Sequence, residues 1–136
     1  MAAKPFRLSA PKALESDLQG QIIDYLRAMQ IHGKIVWFAR GNGGAVVAGV
    51  GKARRFIQFY RLYLRGREPT GQGMADVYGQ LPGGRYFALE CKQPGKKATQ
   101  AQLDFLETVG GGGGIAAVVF SFEDAKSVLF GKIEVK

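Results

Sequence analysis

The chain has 136 residues, 46% apolar and 22% charged, with a net charge of +8. That length suffices for one buried core and not for two, so a single domain over residues 1–136 is expected, with residues 1–10 a loosely ordered arm. No apolar run approaches the roughly 20 residues that cross a bilayer, and one cysteine (Cys91) with one histidine (His32) excludes internal disulfides, cysteine-based zinc sites and histidine-cluster enzymes.

The first helix is expected from Pro11 to about Gln30. Leu14, Leu18, Ile22, Tyr25, Leu26 and Met29 recur at spacings of three and four, giving one apolar stripe, and Pro11 suits the first turn, where its missing N–H is not needed. Glu15 lies about 60° from Leu18 around the helix, at the border of that stripe. It is either an N-terminal acid favoured by the helix dipole, worth about 0.3–1 kcal/mol, or a carboxylate with a task. His32 is expected in a solvated turn. Lys34 to Ala39, rich in β-branched and aromatic residues, reads as a strand, and the glycine-rich Gly41 to Gly51 as a mobile loop. Gly51-Lys52 is no phosphate-binding loop: Val46 stands where the first glycine is required and Ala53 where Ser or Thr is. No nucleotide cofactor is expected.

Ala53 to Arg65 admits two readings. Arg54, Gln58, Arg61 and Arg65 would align on one helical face, while Phe56, Phe59, Tyr60 and Tyr63 equally suit a strand. Charge singles out this part of the chain. From Tyr25 to Arg67 there are nine basic residues and no acidic one after Asp24, leaving the rest of the chain near neutrality. Seven of the nine are Arg, whose fork bonds phosphate bidentately. A nucleic acid is the expected partner, with Arg40, Lys52, Arg54, Arg55, Arg61, Arg65, Arg67, Lys96 and Lys97 as backbone contacts.

Gly71-Gln72-Gly73-Met74-Ala75 leads to Asp76 and the short apolar run Val77-Tyr78. Leu81-Pro82-Gly83-Gly84 is a turn, and Arg85 to Cys91 returns as a second strand ending in Glu90-Cys91-Lys92. Residues two apart share a strand face, so Glu90 and Lys92 point one way and Phe87, Leu89 and Cys91 the other. The hairpin brings Asp76 beside Glu90 at one sheet end. Two carboxylates and an amine there suit a divalent cation acting on a phosphodiester, although Glu-X-Lys alone is more often a weak surface ion pair. Thr99 opens the next helix, which runs to Val109. Thr99-X-X-Gln102 is a capping box, and Leu103 and Leu106, with Phe105 or Val109, are expected to face the core. Gly110 to Gly114 exceeds what a helix C-cap requires. Ile115 to Phe120 reads as an interior strand covered on both faces, and Ser121 caps a last short helix ending near Gly131. The order of elements implies an α/β fold, a central mixed sheet flanked by helices.

Glu15, Gly73-Met74-Ala75-Asp76, Glu90-Cys91-Lys92 and Gln102, in that order, resemble the VRR-NUC (virus-type replication-repair nuclease) branch of the PD-(D/E)XK superfamily. The resemblance spans about Glu15 to Leu129, with Ala75 where the family commonly has proline. It implies a restriction-endonuclease-like core and Mg²⁺- or Mn²⁺-dependent cleavage of DNA. It implies metal ligation by Asp76, Glu90 and the Cys91 backbone carbonyl, with Glu15 a further ligand through water. Lys92 would orient water or stabilise charge, and Gln102 would position Lys92 or a nucleophile. Stand-alone members of this size resemble Holliday-junction-type resolving nucleases acting as homodimers, and the apolar surplus between Phe56 and Leu64 offers a surface for such pairing. The rival readings are a non-catalytic DNA-binding module of the same fold and a flap- or sequence-specific nuclease. The start of the chain, Met1 to Arg7, has no hydrophobic signal core. A cytoplasmic location is therefore expected, in the host cytoplasm for a member of phage origin.

Overall fold

The computed structural model describes residues 15–41, 45–48, 55–58 and 60–131. Within them the chain is α/β. A four-stranded mixed sheet has the order β1 (Trp37–Arg40), β4 (Val77–Gln80), β5 (Tyr86–Cys91), β6 (Ile115–Val119). Its first three strands are antiparallel, and β6 joins β5 in parallel through the crossover helix α2 (Gln100–Gly111). A separate hairpin pairs β2 (Ala45–Ala48) with β3 (Arg55–Gln58). Helices α1 (Glu15–Ile31) and α3 (Phe122–Phe130) complete the described elements.

Strand alternation divides the core into two layers. Val77, Phe87, Leu89, Cys91 and Val119 pack against Leu18, Ile22 and Leu26 of α1 and Ala125 and Leu129 of α3. On the other face Ala88, with half-buried Tyr78, Tyr86, Ala116 and Val118, meets Phe105 and Leu106 of α2 and Leu64 and Ala75 of the preceding loop. Two glycines permit close packing. A Cβ at Gly79 would lie 2.3 Å from the Trp37 carbonyl oxygen, so this position lets β1 and β4 approach. Gly73, at φ +99°, sits where a Cβ would lie 2.5 Å from the Ala101 carbonyl oxygen, seating the loop before Asp76 on the first turn of α2.

Several expectations shift. The start of the first helix at Pro11 and the arm over residues 1–10 lie outside the described residues. The strand expected from Lys34 begins at Trp37. Gly33, at φ +77°, ends α1, and the Lys34 N–H still bonds the Met29 carbonyl. Ala45 to Ala48, expected within a mobile loop, is a strand, its β-branched pair Val46-Val47 outweighing the flanking glycines. The helical reading of Arg54 to Arg65 fails over the described part: Arg55–Gln58 is a strand, and Leu62 bridges Thr70. β6 is covered on both faces as expected, Ile115, Ala117 and Val119 packing in the α1–α3 layer and Ala116 and Val118 in the α2 layer, but among the described residues it is an edge strand bonded only to β5, and most of it is half-buried. Leu103, expected in the core, is 44% exposed beside that edge, while Phe105 and Leu106 are buried.

The glycine run resolves into parts. Gly112 caps α2 through bonds to Thr108 and Val109, Gly113 takes φ +96°, and Gly114 is crowded by Val109 and Tyr86. Gly110 and Gly111 lie inside the helix, and a Cβ on either would meet nothing within 4 Å. Among the described residues no helix is long and apolar enough to cross a membrane.

Candidate active site

Four segments meet at the end of the sheet where β5 finishes. The β4–β5 register places Val77 opposite Leu89, so Asp76, one residue before β4, stands beside Glu90 and Cys91. Asp76 Oδ2 accepts a 2.8 Å hydrogen bond from the Cys91 backbone N–H, which ties the loop carboxylate to the far strand. Glu90 faces the α2 layer and is 1% exposed; it is the sole buried charged residue among those described. Its Oε1 accepts a 2.9 Å bond from Gln102 Nε2 and lies 3.9 Å from Lys92 Nζ. Lys92 also lies 3.7 Å from Glu15 Oε1, joining the start of α1 to the site.

Gln102 has two roles. Its Oε1 accepts from the Thr99 N–H at 2.8 Å while Thr99 Oγ1 accepts from the Gln102 N–H at 3.2 Å, so the capping box is complete. With the oxygen committed to the helix cap, the amide NH₂ is turned to Glu90. Gln102 thus positions Glu90, and Lys92 is placed instead by its two acidic neighbours.

Glu90 Oε2 is buried and receives no hydrogen bond. What stands against this side chain is the Asp76 carboxylate, another acceptor. Burial first, then the hydrogen bond and charge of Asp76, push the Glu90 carboxyl up to about 9; Glu15 adds to the effect and Lys92 opposes it. Two carboxylates so placed need a shared proton or a cation between them. Burial, followed by Asp76 and Glu90, likewise pushes the Cys91 thiol upward, keeping it an inert core group.

The donor set fits one class of metal. Among the described residues no three His, Cys, Asp or Glu side chains converge to hold an ion, so an all-side-chain cage of the zinc or calcium type is not built here. A small hard dication that keeps several waters needs one or two carboxylates, and Asp76 with the orphaned Glu90 Oε2 supplies them. Glu15, engaged with Lys92 at 3.7 Å, belongs to the same cluster, and its charge adds to the rise at Glu90.

The basic residues divide. Arg40 ends β1 opposite Val77 and donates from Nε to Gln19 Oε1 at 3.0 Å, on the site's rim. Lys96 and Lys97 are exposed in the loop leading from β5 to α2, on the same end. Arg61 and Arg65 are exposed, and Arg65 lies elsewhere, bordering a hollow with Thr108, Gly111 and Gly112 toward the far end of α2. Arg67 is not free for phosphate, being paired with Asp104 at 3.3 Å and Glu107 at 3.8 Å. Lys52 and Arg54 lie outside the described residues, as does the Arg55 side chain. Gln19 was not anticipated from the sequence. Its signal was its spacing, four residues after Glu15 on the same helix face. No family model, curated protein or solved structure matches the chain.

Proposed function

We propose that the chain is a Mg²⁺- or Mn²⁺-dependent DNA endonuclease with a restriction-endonuclease-like PD-(D/E)XK core of the VRR-NUC kind, cutting branched DNA such as a four-way junction as a homodimer. The observation that carries this reading is Glu90 Oε2: buried, without a donor, against a second carboxylate and within a side chain's length of an ammonium. Such an arrangement destabilises the metal-free fold and is hard to explain as a surface ion pair.

When bound, the cation supplies positive charge and Lewis acidity for attack by water on a phosphodiester. Asp76 and Glu90 would hold it, each with one oxygen already fixed by the protein and thus preset in direction. Gln102 keeps the Glu90 carboxylate from rotating. Lys92, 14% exposed, stands at the mouth of this cluster and stabilises the negative charge that builds on the phosphoryl oxygens. Glu15, 3.7 Å away, helps hold the Lys92 ammonium in place. Arg40, Lys96 and Lys97 receive the flanking phosphates without reading bases.

The test is incubation of a labelled four-way junction with Mn²⁺, beside the Asp76→Asn variant and linear duplex of the same composition. Junction-dependent product in the wild type and none in the variant supports the proposal. Tight junction binding by both proteins with product from neither supports a non-catalytic DNA-binding module.

A further inference from the structure

The segment between β3 and the loop before Asp76 is extended and pinned. Leu62 exchanges two backbone hydrogen bonds with Thr70, at 2.6 and 3.0 Å. A turn follows, in which the Arg67 N–H donates to the Leu64 carbonyl at 3.0 Å and Gly66 takes φ +79°. In an extended chain alternate side chains share a face. Leu62 and Leu64 turn inward, to the layer that holds Phe105 and Leu106 of α2. Arg61, Tyr63 and Arg65 therefore line the outer face, and all three are exposed, Tyr63 at 77%.

A lone exposed ring needs no explanation, and neither does a lone surface arginine. This strip differs in arrangement: one aromatic face stands between two guanidinium-bearing positions, about 7 Å along the chain from each, on backbone held by core burial and a β-bridge. Arg67, beyond the turn, is spent on Asp104 at 3.3 Å and Glu107 at 3.8 Å, which offsets the Glu107 carboxylate that shares Arg65's hollow. Among the described residues neither Arg61 nor Arg65 is in an ion pair. The strip also has a direction. Just before it, the Tyr60 hydroxyl accepts from the Met74 N–H at 3.4 Å, two residues short of Asp76. At its other end Arg65 borders Thr108, Gly111 and Gly112, about 9–14 Å past the level of Gln102 by helix rise. It runs from the loop that carries Asp76 outward along α2.

We propose that Arg61, Tyr63 and Arg65 bind an unpaired polynucleotide strand, the two guanidiniums taking backbone phosphates and the Tyr63 ring stacking on a base between them. The guanidinium fork matches phosphate geometry, and positive charge beside an aromatic platform is the combination that holds single strands. A duplex fits the strip poorly, because its bases are stacked on one another and offer no free π-face to Tyr63. An unpaired base of any identity offers one, so little sequence preference is expected. Only the use of this strand at the cut, as an unpaired arm leading away from Asp76 and Glu90 along α2, rests on the proposed nuclease activity; the strip itself is argued from the loop.

The test reads binding in a chelator, where no metal-dependent cleavage occurs, so it stands or falls separately from the nuclease reading. Fluorescence anisotropy of the full chain with a labelled oligothymidylate and with a duplex of the same length is expected to show tighter binding of the single strand. Tyr63→Ala should weaken single-strand binding by about 5- to 150-fold, the loss of one stacked base, and leave duplex binding little changed. Tyr63→Phe, which keeps the ring, should bind like wild type. Replacing Arg61 and Arg65 together by Ala should lower the slope of log affinity for the single strand against log salt by about 1.4, or 0.7 for each phosphate contact. All these side chains are exposed, so Tm should not move. A wild type that prefers the duplex overturns the proposal. So does a Tyr63→Ala variant that binds the single strand as wild type does or loses both ligands alike, a Tyr63→Phe variant as weak as Tyr63→Ala, or an unchanged salt slope in the double variant.

Discussion

Glu90→Gln should stabilise the metal-free protein at neutral pH, against the usual expectation for a buried, hydrogen-bonded residue. Glutamine keeps the shape and the Oε1 acceptor for Gln102, and its NH₂ can donate to Asp76, meeting the atom that glutamate leaves orphaned. The magnitude follows from linkage. A carboxyl raised from 4.5 to about 9 on folding binds more protons folded than unfolded. Its contribution is therefore full below about pH 4.5 and falls as pH rises toward 9, by 1.36 kcal/mol for each pH unit. By pH 7, which is 2.5 units above 4.5, the wild type has lost about 3 kcal/mol that the variant never loses. Chemical denaturation in a chelator, from pH 5 to 8.5, should show wild-type stability declining and the variant's nearly flat on this account. Saturating Mn²⁺ should then stabilise the wild type and leave the variant little changed. A variant less stable than wild type at pH 7 without metal, or wild-type stability that rises across this window, would refute the reasoning.

Lys92→Met should cut Mn²⁺-dependent cleavage by about 10²–10³-fold, by removing a charge-stabilising group, while tightening Mn²⁺ binding in a direct titration because a neighbouring positive charge is gone. Gly79→Ala should destabilise by about 1–3 kcal/mol in denaturant unfolding, since its Cβ would meet the Trp37 carbonyl oxygen at 2.3 Å and force β1 from β4. Arg40→Ala should lower the slope of log affinity for junction DNA against log salt by about one, whereas Arg67→Ala, already paired with Asp104 and Glu107, should leave that slope unchanged.

The acid pair was legible because a hairpin converts sequence spacing into cross-strand position: Asp76 before one strand and Glu90 near the end of its partner meet whatever the surrounding core. The same period-two logic placed Glu90 on the face away from Phe87, Leu89 and Cys91, and the Thr99–Gln102 box was read directly. Other features depended on tertiary placement. An all-apolar run such as Ile115 to Val119 looks interior in sequence, and only the order of the sheet reveals an edge. The Ala45–Ala48 strand was hidden because glycines flank it while its stability comes from a partner ten residues on. Arg67 could not be separated from other arginines until α2 brought Asp104 and Glu107 against it.

Position 102 is constrained from two directions at once. Glutamate there would preserve the helix start but set a third acid against Glu90. Asparagine would fall short of both partners, and leucine would leave the Thr99 N–H and Glu90 Oε1 unserved. A saturation library at this codon should therefore show two different failure modes, lost helix nucleation for some substitutions and lost cation handling for others, with glutamine alone escaping both.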